Sequence, residues 1–241
     1  MTVSVEYIPV QIEYPDEDGK PIAEGDIQRK YMLYATDVLG IYFQSRLDVY
    51  VSGNLFIYYE QGNPESVVAP DVFVVFGVDN KDRRSYKTWE EQDKTPDFVL
   101  EITSKTTRTK DQGAKKGIYA FLGVREYFQY DPTGDYLNPQ LQGLRLADGN
   151  YFPVATNTLP DGMSLLSEVL GLELQVKAGE MRFYDAATGQ KLLSHEEEAA
   201  ARQEAEAARQ EAEAARQEAE ERAERLAAKL GELNIDPDPL Q

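Results

Sequence analysis

The sequence has 241 residues, a mass of 27.2 kDa and a formal net charge of −18, with 43 acidic against 25 basic side chains. An apolar fraction of 41% is enough for a buried core, which excludes wholesale disorder. The chain contains no cysteine and a single histidine, so disulfide frameworks, thiolate metal sites and cysteine nucleophiles are excluded.

Neither a membrane span nor a leader sequence is predicted. No stretch approaches the roughly 18 consecutive apolar residues that cross a bilayer, and the first 20 residues lack a basic segment followed by an apolar one. We therefore expect a cytoplasmic protein without membrane association. The acidic excess argues against a broad nucleic-acid surface, although binding depends on where the cations cluster.

Residues 1–194 are predicted to form one domain of helices and strands. Apolar residues at helical spacing predict a helix over Ile27–Gln44, with Asp26 as its N-cap. Short strands are predicted next, over Asp48–Val51, Asn54–Tyr59, Asp71–Gly77 and Asp97–Thr103. The last two are almost continuously apolar, which is typical of strands covered on both faces.

A strand, a helix and a strand follow one another in the middle of the chain. The helix is predicted over Lys110–Leu122 with Gly123 after its end, and the next strand over Glu126–Tyr130. This order predicts a parallel strand pair joined by a right-handed crossover. Turn residues at 148–150 and 178–179 then predict two β-hairpins, and the whole pattern predicts an α+β fold.

The composition changes abruptly near residue 194. From His195 to Leu233 there is no proline, aromatic or β-branched residue, and a seven-residue unit of Ala, Arg, Gln and Glu begins at Ala201, Ala208 and Ala215. These residues are strong helix formers. We predict a helical, coiled-coil-like tail over residues 195–235 and a frayed end over 236–241.

The small residues of the tail follow the 4-3 spacing of coiled-coil a and d positions. The register slips by a four-residue step after Ala219, and leucines then take over the seam. We expect a homo-oligomer formed through residues 201–233, and a solvated single helix is the alternative. Arginine–glutamate pairs four residues apart are predicted to support the helix: Arg202–Glu206, Arg209–Glu213 and Arg216–Glu220.

Two carboxylates lie in the buried strands of the predicted domain. Asp71 follows Pro70 at the start of one strand, and Glu101 lies inside the next, where a carboxylate is costly unless it is paired or holds a metal ion. Five cations then follow in the sequence: Lys105, Arg108, Lys110, Lys115 and Lys116. Carboxylates from neighbouring strands can hold divalent cations, and a nearby lysine can assist an attacking water, as in phosphodiester hydrolysis.

Several of these residues have structural alternatives. Asp71 can simply begin a strand after a proline turn, and Glu101 can be neutralised by a structural cation. Asp97 is more typical of a turn at a strand entrance than of a metal ligand. Trp89 can stack on a base, but a loop tryptophan more often covers apolar surface, and Tyr119 is expected to pack under the sheet with its hydroxyl hydrogen-bonded.

The motif string over residues 70–132 resembles the Uma-type restriction endonuclease family of the PD-(D/E)xK nuclease superfamily. The matching motifs are Pro70-Asp71, the strand-borne Glu101–Ser104, the Asp111/Lys115/Tyr119 frame, and Gly123–Phe128 with Asp131-Pro132. Phe128 stands where the family usually has tryptophan. Thr103 stands where the simplest form of the superfamily has its lysine.

The resemblance implies a restriction-endonuclease-like mixed central sheet flanked by helices, and a Mg²⁺- or Mn²⁺-dependent endonuclease acting on DNA. It implies Asp71 and Glu101 as metal ligands and a lysine that has migrated to the following helix. Lys115 is the choice for that lysine, and Lys105 is its rival. DNA contacts are expected from Lys105, Arg108, Lys110 and Lys116. Two alternatives remain: a non-catalytic module that oligomerises or recruits a partner through its tail, and a phosphoesterase acting on a nucleotide.

Overall fold

A computed structural model describes residues 12–16, 25–103, 111–135 and 137–232. The chain divides into two compact units, with the boundary between Leu192 and Leu193. Within the described residues the first unit carries two α-helices, α1 (Asp26–Tyr42) and α2 (Lys116–Phe121). The second unit contains the long helix α3 (His195–Glu232).

The first unit is built around β-sheets. Its strands in chain order are β1 (Val49–Ser52), β2 (Ile57–Tyr58), β3 (Val67–Val68), β4 (Val72–Phe76), β5 (Tyr86–Lys87), β6 (Phe98–Ile102), β7 (Glu126–Tyr130), β8 (Leu141–Ala147), β9 (Asn150–Pro153), β10 (Thr156–Leu159), β11 (Gly162–Ser167), β12 (Leu172–Lys177) and β13 (Glu180–Asp185).

The central sheet has six strands in the order β1-β4-β6-β7-β8-β9. Strands β6 and β7 pair in parallel and are connected through α2, whereas the other neighbours in this sheet pair antiparallel. A parallel pair needs such a crossover connection, since a tight turn can join only antiparallel strands. The predicted α+β fold with a mixed central sheet is therefore confirmed.

Strands β4 and β6 are apolar because the sheet is covered on both faces. On one face, Val72, Val74 and Leu100 pack in a core that includes the buried side of α1. On the other face, Val99 packs in a second core with Tyr119 of α2. Alternate residues of one strand point to opposite faces, so every side chain of β6 is buried.

Helix α1 differs from the prediction at its beginning. Asp26 is the first helical residue and does not cap the helix, because Gly25 occupies the N-cap position without a side-chain hydrogen bond. The Asp26 carboxylate instead accepts a hydrogen bond of 2.8 Å from Arg29. An acidic side chain in the first turn still interacts favourably with the helix dipole.

Within the described residues, the predicted helix over Lys110–Leu122 is partly irregular. A π-helical turn over Asp111–Lys115 precedes α2, and Lys110 lies outside the described residues. Turns of this kind are rare and are found frequently at functional sites. Gly123 follows the helix with φ of 74°, which confirms its predicted place after the helix end.

The two predicted hairpins are confirmed. Asp148 and Gly149 have φ values of 50° and 73° between β8 and β9, and Ala178 and Gly179 have 48° and 79° between β12 and β13. Positive φ at both central residues is the requirement of a type I′ turn. Four strands were not predicted, namely β3, β5, β10 and β11, and the strand predicted over Asn54–Tyr59 is only two residues long.

The long helix of the second unit begins with a capping box. Ser194 Oγ accepts a hydrogen bond of 3.2 Å from the backbone of Glu197, whose carboxylate accepts one of 3.1 Å from the backbone of Ser194. Of the three predicted arginine–glutamate pairs, Arg216–Glu220 is present at 2.8 Å. The other two arginines pair differently, as Arg202–Glu198 and Arg209–Glu206.

None of the helices in the described part of the chain combines the length and apolar character that a bilayer crossing requires. The predicted frayed end over residues 236–241 lies outside the described residues.

Candidate active site

Asp71 and Glu101 lie side by side on one face of the central sheet. The register of β4 and β6 ends with the pair Val72 and Leu100; Asp71 directly precedes Val72, and Glu101 directly follows Leu100. A hydrogen bond of 2.7 Å from the backbone N–H of Ile102 to Asp71 Oδ2 holds the Asp71 side chain against the end of β6.

Glu101 is a buried carboxylate held in an ion pair. Its side chain is 1% exposed, and Lys115 Nζ donates hydrogen bonds of 3.0 Å and 2.9 Å to its two oxygens. The same ammonium donates to the backbone carbonyl of Ala69 at 3.1 Å, two residues before Asp71. Lys115 therefore joins the segment that leads into β4 to the middle of the site.

Tyr119 completes the surroundings of Glu101. It lies one helical turn after Lys115, is fully buried, and its hydroxyl donates a hydrogen bond of 2.5 Å to Glu101 Oε1. Burial, and after it the negative charge of Glu101, raise the pKa of Tyr119 well above its usual value, with a smaller contribution from Asp71. The hydroxyl thus stays protonated as a donor, and both carboxylates lie within electrostatic reach of it.

The structure thus brings together three of the residues singled out from the sequence: Asp71, Glu101 and Lys115. Lys116 is the first residue of α2 and follows Lys115 directly. The other proposed DNA-contacting cations, Lys105, Arg108 and Lys110, lie outside the described residues. Of the two candidates for the catalytic lysine, the structure therefore describes only the position of Lys115.

Neighbouring polar residues have structural roles. The carboxylate of Asp97 accepts hydrogen bonds from the backbone of Phe76 at 2.7 Å and from Arg125 at 3.0 Å, which fits its interpretation as a strand-entrance residue. Thr103 is buried, and its hydroxyl donates to the carbonyl of Tyr130 at 3.2 Å. Trp89 packs against Tyr14, with ring centroids 5.1 Å apart.

Glu126, part of the motif string, is a second buried carboxylate outside the site. It accepts hydrogen bonds from Arg145 at 2.9 Å and 3.1 Å, from Ser167 at 2.5 Å and from the backbone of Glu168 at 3.1 Å. These partners connect β7 and β8 to the end of β11. Glu126 therefore joins the central sheet to a second sheet, which has four strands in the order β10-β11-β12-β13.

The side chains at the site suit a hard divalent cation. No group of three or more His, Cys, Asp and Glu side chains converges within the described ranges, and Asp71 and Glu101 are the carboxylates described at this site. Mg²⁺ and Mn²⁺ prefer oxygen ligands, and Mg²⁺ commonly binds one or two carboxylates together with waters and substrate phosphates. Asp71 and Glu101 fit this requirement, and Lys115 supplies a counter-charge beside them.

For Tyr119, the sequence predicts a buried side chain with a hydrogen-bonded hydroxyl, but not that Glu101 is its partner. Lys115 and Tyr119 are four residues apart, and this spacing places two side chains on the same face of a helix. Since Glu101 is predicted to be buried and needs polar partners, this spacing indicates that Lys115 and Tyr119 can contact the same carboxylate. The carbonyl of Ala69 gave no such signal, since backbone acceptors leave no trace in the sequence.

Replacing Tyr119 with phenylalanine is expected to lower the free energy of unfolding by about 1.5–3 kcal/mol, because a hydrogen bond to a buried charge is lost. Urea unfolding monitored by circular dichroism measures this. Tyr59→Phe, a partly exposed tyrosine, is the matched control and should change stability little. Equal stability of Tyr119→Phe and the parent protein would contradict the hydrogen bond.

Comparison with known proteins places this site in a family. The Uma2 family model, described as "Putative restriction endonuclease", matches residues 8–177. A solved structure described as "a putative nuclease belonging to DUF820 from Anabaena variabilis" is similar, with 13% identity, a TM-score of 0.42 and coverage of 60% of this chain and 79% of that chain. No curated protein matches the sequence. The family match spans most of the chain, including every residue of the site, and the protein therefore belongs to the Uma2 family.

Proposed function

We propose that this protein is a Mg²⁺- or Mn²⁺-dependent endonuclease that hydrolyses DNA phosphodiester bonds. The observation that carries the proposal is the convergence of two carboxylates from adjacent strands with a lysine ammonium, inside a chain of the Uma2 family. A cytoplasmic location accords with a DNA substrate.

In the proposed site, Asp71 and Glu101 would hold the cation. A bound divalent cation would polarise the scissile phosphate and lower the pKa of a nucleophilic water. The remaining groups belong to the protein itself. Lys115 supplies positive charge at the same position, where it can offset the charge of the phosphate. Tyr119 fixes one oxygen of Glu101, so that the carboxylate does not rotate.

Polymeric DNA is the proposed substrate, and binding is expected to be weak and strongly salt-dependent. The chain carries a net charge of −18, so attraction for phosphates must come from a local group of cations. The proposed contacts with DNA phosphates are Lys116, which follows Lys115 directly, and three cations earlier in the sequence: Lys105, Arg108 and Lys110. Each neutralised phosphate steepens the fall of affinity with salt concentration.

Cleavage of supercoiled plasmid by the metal-stripped protein, with Mg²⁺ or Mn²⁺ restored or withheld, tests the proposal. Nicked or linear product is expected only when the metal ion is present. The same purification of Asp71→Asn protein shows whether a contaminant is responsible, and equal cleavage by this variant would reject the site. Hydrolysis of single nucleotides without cleavage of plasmid would instead support the phosphoesterase alternative.

A further inference from the structure

We propose that α3 pairs with the same helix of a second copy of this chain, as a parallel, in-register, two-stranded coiled coil. The helix is 38 residues long, and its described side chains from Ala199 to Lys229 are exposed. This inference is independent of the nuclease activity, because it uses none of the residues of the candidate site.

The repeat defines the heptad positions over residues 201–219, before the register slips after Ala219. In a coiled coil the step from a to d is three residues and the step from d to a is four. The alanines at 201, 208 and 215 therefore take d positions, and those at 205, 212 and 219 take a positions. Alanine side chains are short, so this seam is filled when two helices approach closely, whereas the wider centre of a three-stranded bundle would be left with voids.

The charges beside the seam determine the partner and its direction. The e positions hold Arg202, Arg209 and Arg216, and the g positions hold Glu204, Glu211 and Glu218. In a parallel pair, each g residue faces the e residue of the next heptad in the other copy. Glu204 of one copy then faces Arg209 of the other, and Glu211 faces Arg216, and symmetry repeats both contacts.

An antiparallel pair has the opposite consequence. There e positions face e positions and g positions face g positions, which would set arginine against arginine and glutamate against glutamate. The three arginine side chains are 75–82% exposed, and among the described residues they pair with glutamates of their own helix, in contacts that contribute little energy. The arginine side chains can therefore leave these glutamates and pair with glutamates of the second copy at a small cost in free energy. A parallel pair joins two copies of the first unit at the same end of the tail.

Single cysteines test the direction, because the 241-residue chain has none of its own. Ala205→Cys and Ala215→Cys are each expected to form a disulfide-linked homodimer under mild oxidation, since identical positions meet in a parallel, in-register pair. Gln210→Cys, at an outward f position, is the control and should remain uncrosslinked. If the two seam variants crosslink only when mixed together, the helices are antiparallel and the proposal is wrong.

Sedimentation equilibrium of the 241-residue chain tests the stoichiometry and the charge argument. We expect twice the 27.2 kDa chain mass. We expect weaker dimers, which dissociate at higher protein concentration than the parent, from two double variants: Arg209→Glu/Arg216→Glu and Glu204→Arg/Glu211→Arg. An equimolar mixture of the two variants should regain the stability of the parent dimer. Circular dichroism checks that helix content is retained. A monomeric or trimeric parent chain, or a mixture no more associated than its components, would overturn the proposal.

Discussion

Glu101→Gln is expected to reduce the rate of plasmid cleavage at saturating Mg²⁺ by on the order of 10³-fold. The substitution keeps the shape of the side chain but removes the negative charge that would hold the cation next to Asp71. It also removes the partner of Lys115, whose ammonium lies 2.9 Å from the carboxylate. Quantified conversion of supercoiled to nicked plasmid measures the rate.

A second variant separates the loss of chemistry from a loss of folding. Glu101→Gln alone leaves the Lys115 ammonium opposite a neutral amide, which should lower the free energy of unfolding by about 1–3 kcal/mol. Glu101→Gln/Lys115→Met removes both charges, so stability should recover in part while cleavage stays lost. Glu65→Gln, at an exposed position, is the matched control and should cleave like the parent protein. Parent-like cleavage by Glu101→Gln would reject this carboxylate as a ligand.

Lys115→Ala is expected to lower the cleavage rate by roughly 10²-fold or more, a range typical of a lost proton-transfer or charge-stabilising group. The reason is its position: its ammonium contacts both oxygens of Glu101 and the carbonyl of Ala69, beside the proposed reacting phosphate. Single-turnover cleavage at saturating DNA reports the chemical step separately from DNA binding.

Lys105 is the alternative catalytic lysine, so Lys105→Ala is compared with Lys115→Ala. Lys105→Ala is expected to weaken DNA binding and reduce the salt dependence of affinity, with little change in the single-turnover rate. Lys30→Ala is the control for removing a helical lysine, since this side chain is 60% exposed on α1. If Lys105→Ala lowers the single-turnover rate more than Lys115→Ala does, the catalytic lysine is Lys105.

The strands next to the site were predictable because their composition reflects their environment. Strands β4 and β6 are almost continuously apolar, as strands covered on both faces must be, and β7 was predicted with the observed bounds. The residues at 148–149 and 178–179 identified their hairpins through the turn chemistry itself. Strands β3 and β5 were missed because two-residue strands carry too little periodicity to detect.

Asp26 shows the limit of local signals. An aspartate before an apolar periodic segment is a good N-cap signature, but the helix begins one residue earlier than that assignment requires, and the carboxylate pairs with Arg29. Helix ends depend on how the preceding chain enters the fold, and the local sequence alone does not determine that.

The sequence by itself determined the α+β class, the change to a helical tail near residue 194, the family, and the identity of the acidic and basic residues that carry the hypothesis. It could do so because burial, turn geometry and heptad spacing each constrain residue type locally. The tertiary structure alone decided that Lys115 reaches Glu101, that Tyr119 donates to the same carboxylate, and that Glu126 joins two sheets. These contacts link residues 14 to 41 positions apart, and strand register and helix crossover, which no local pattern encodes, bring them together.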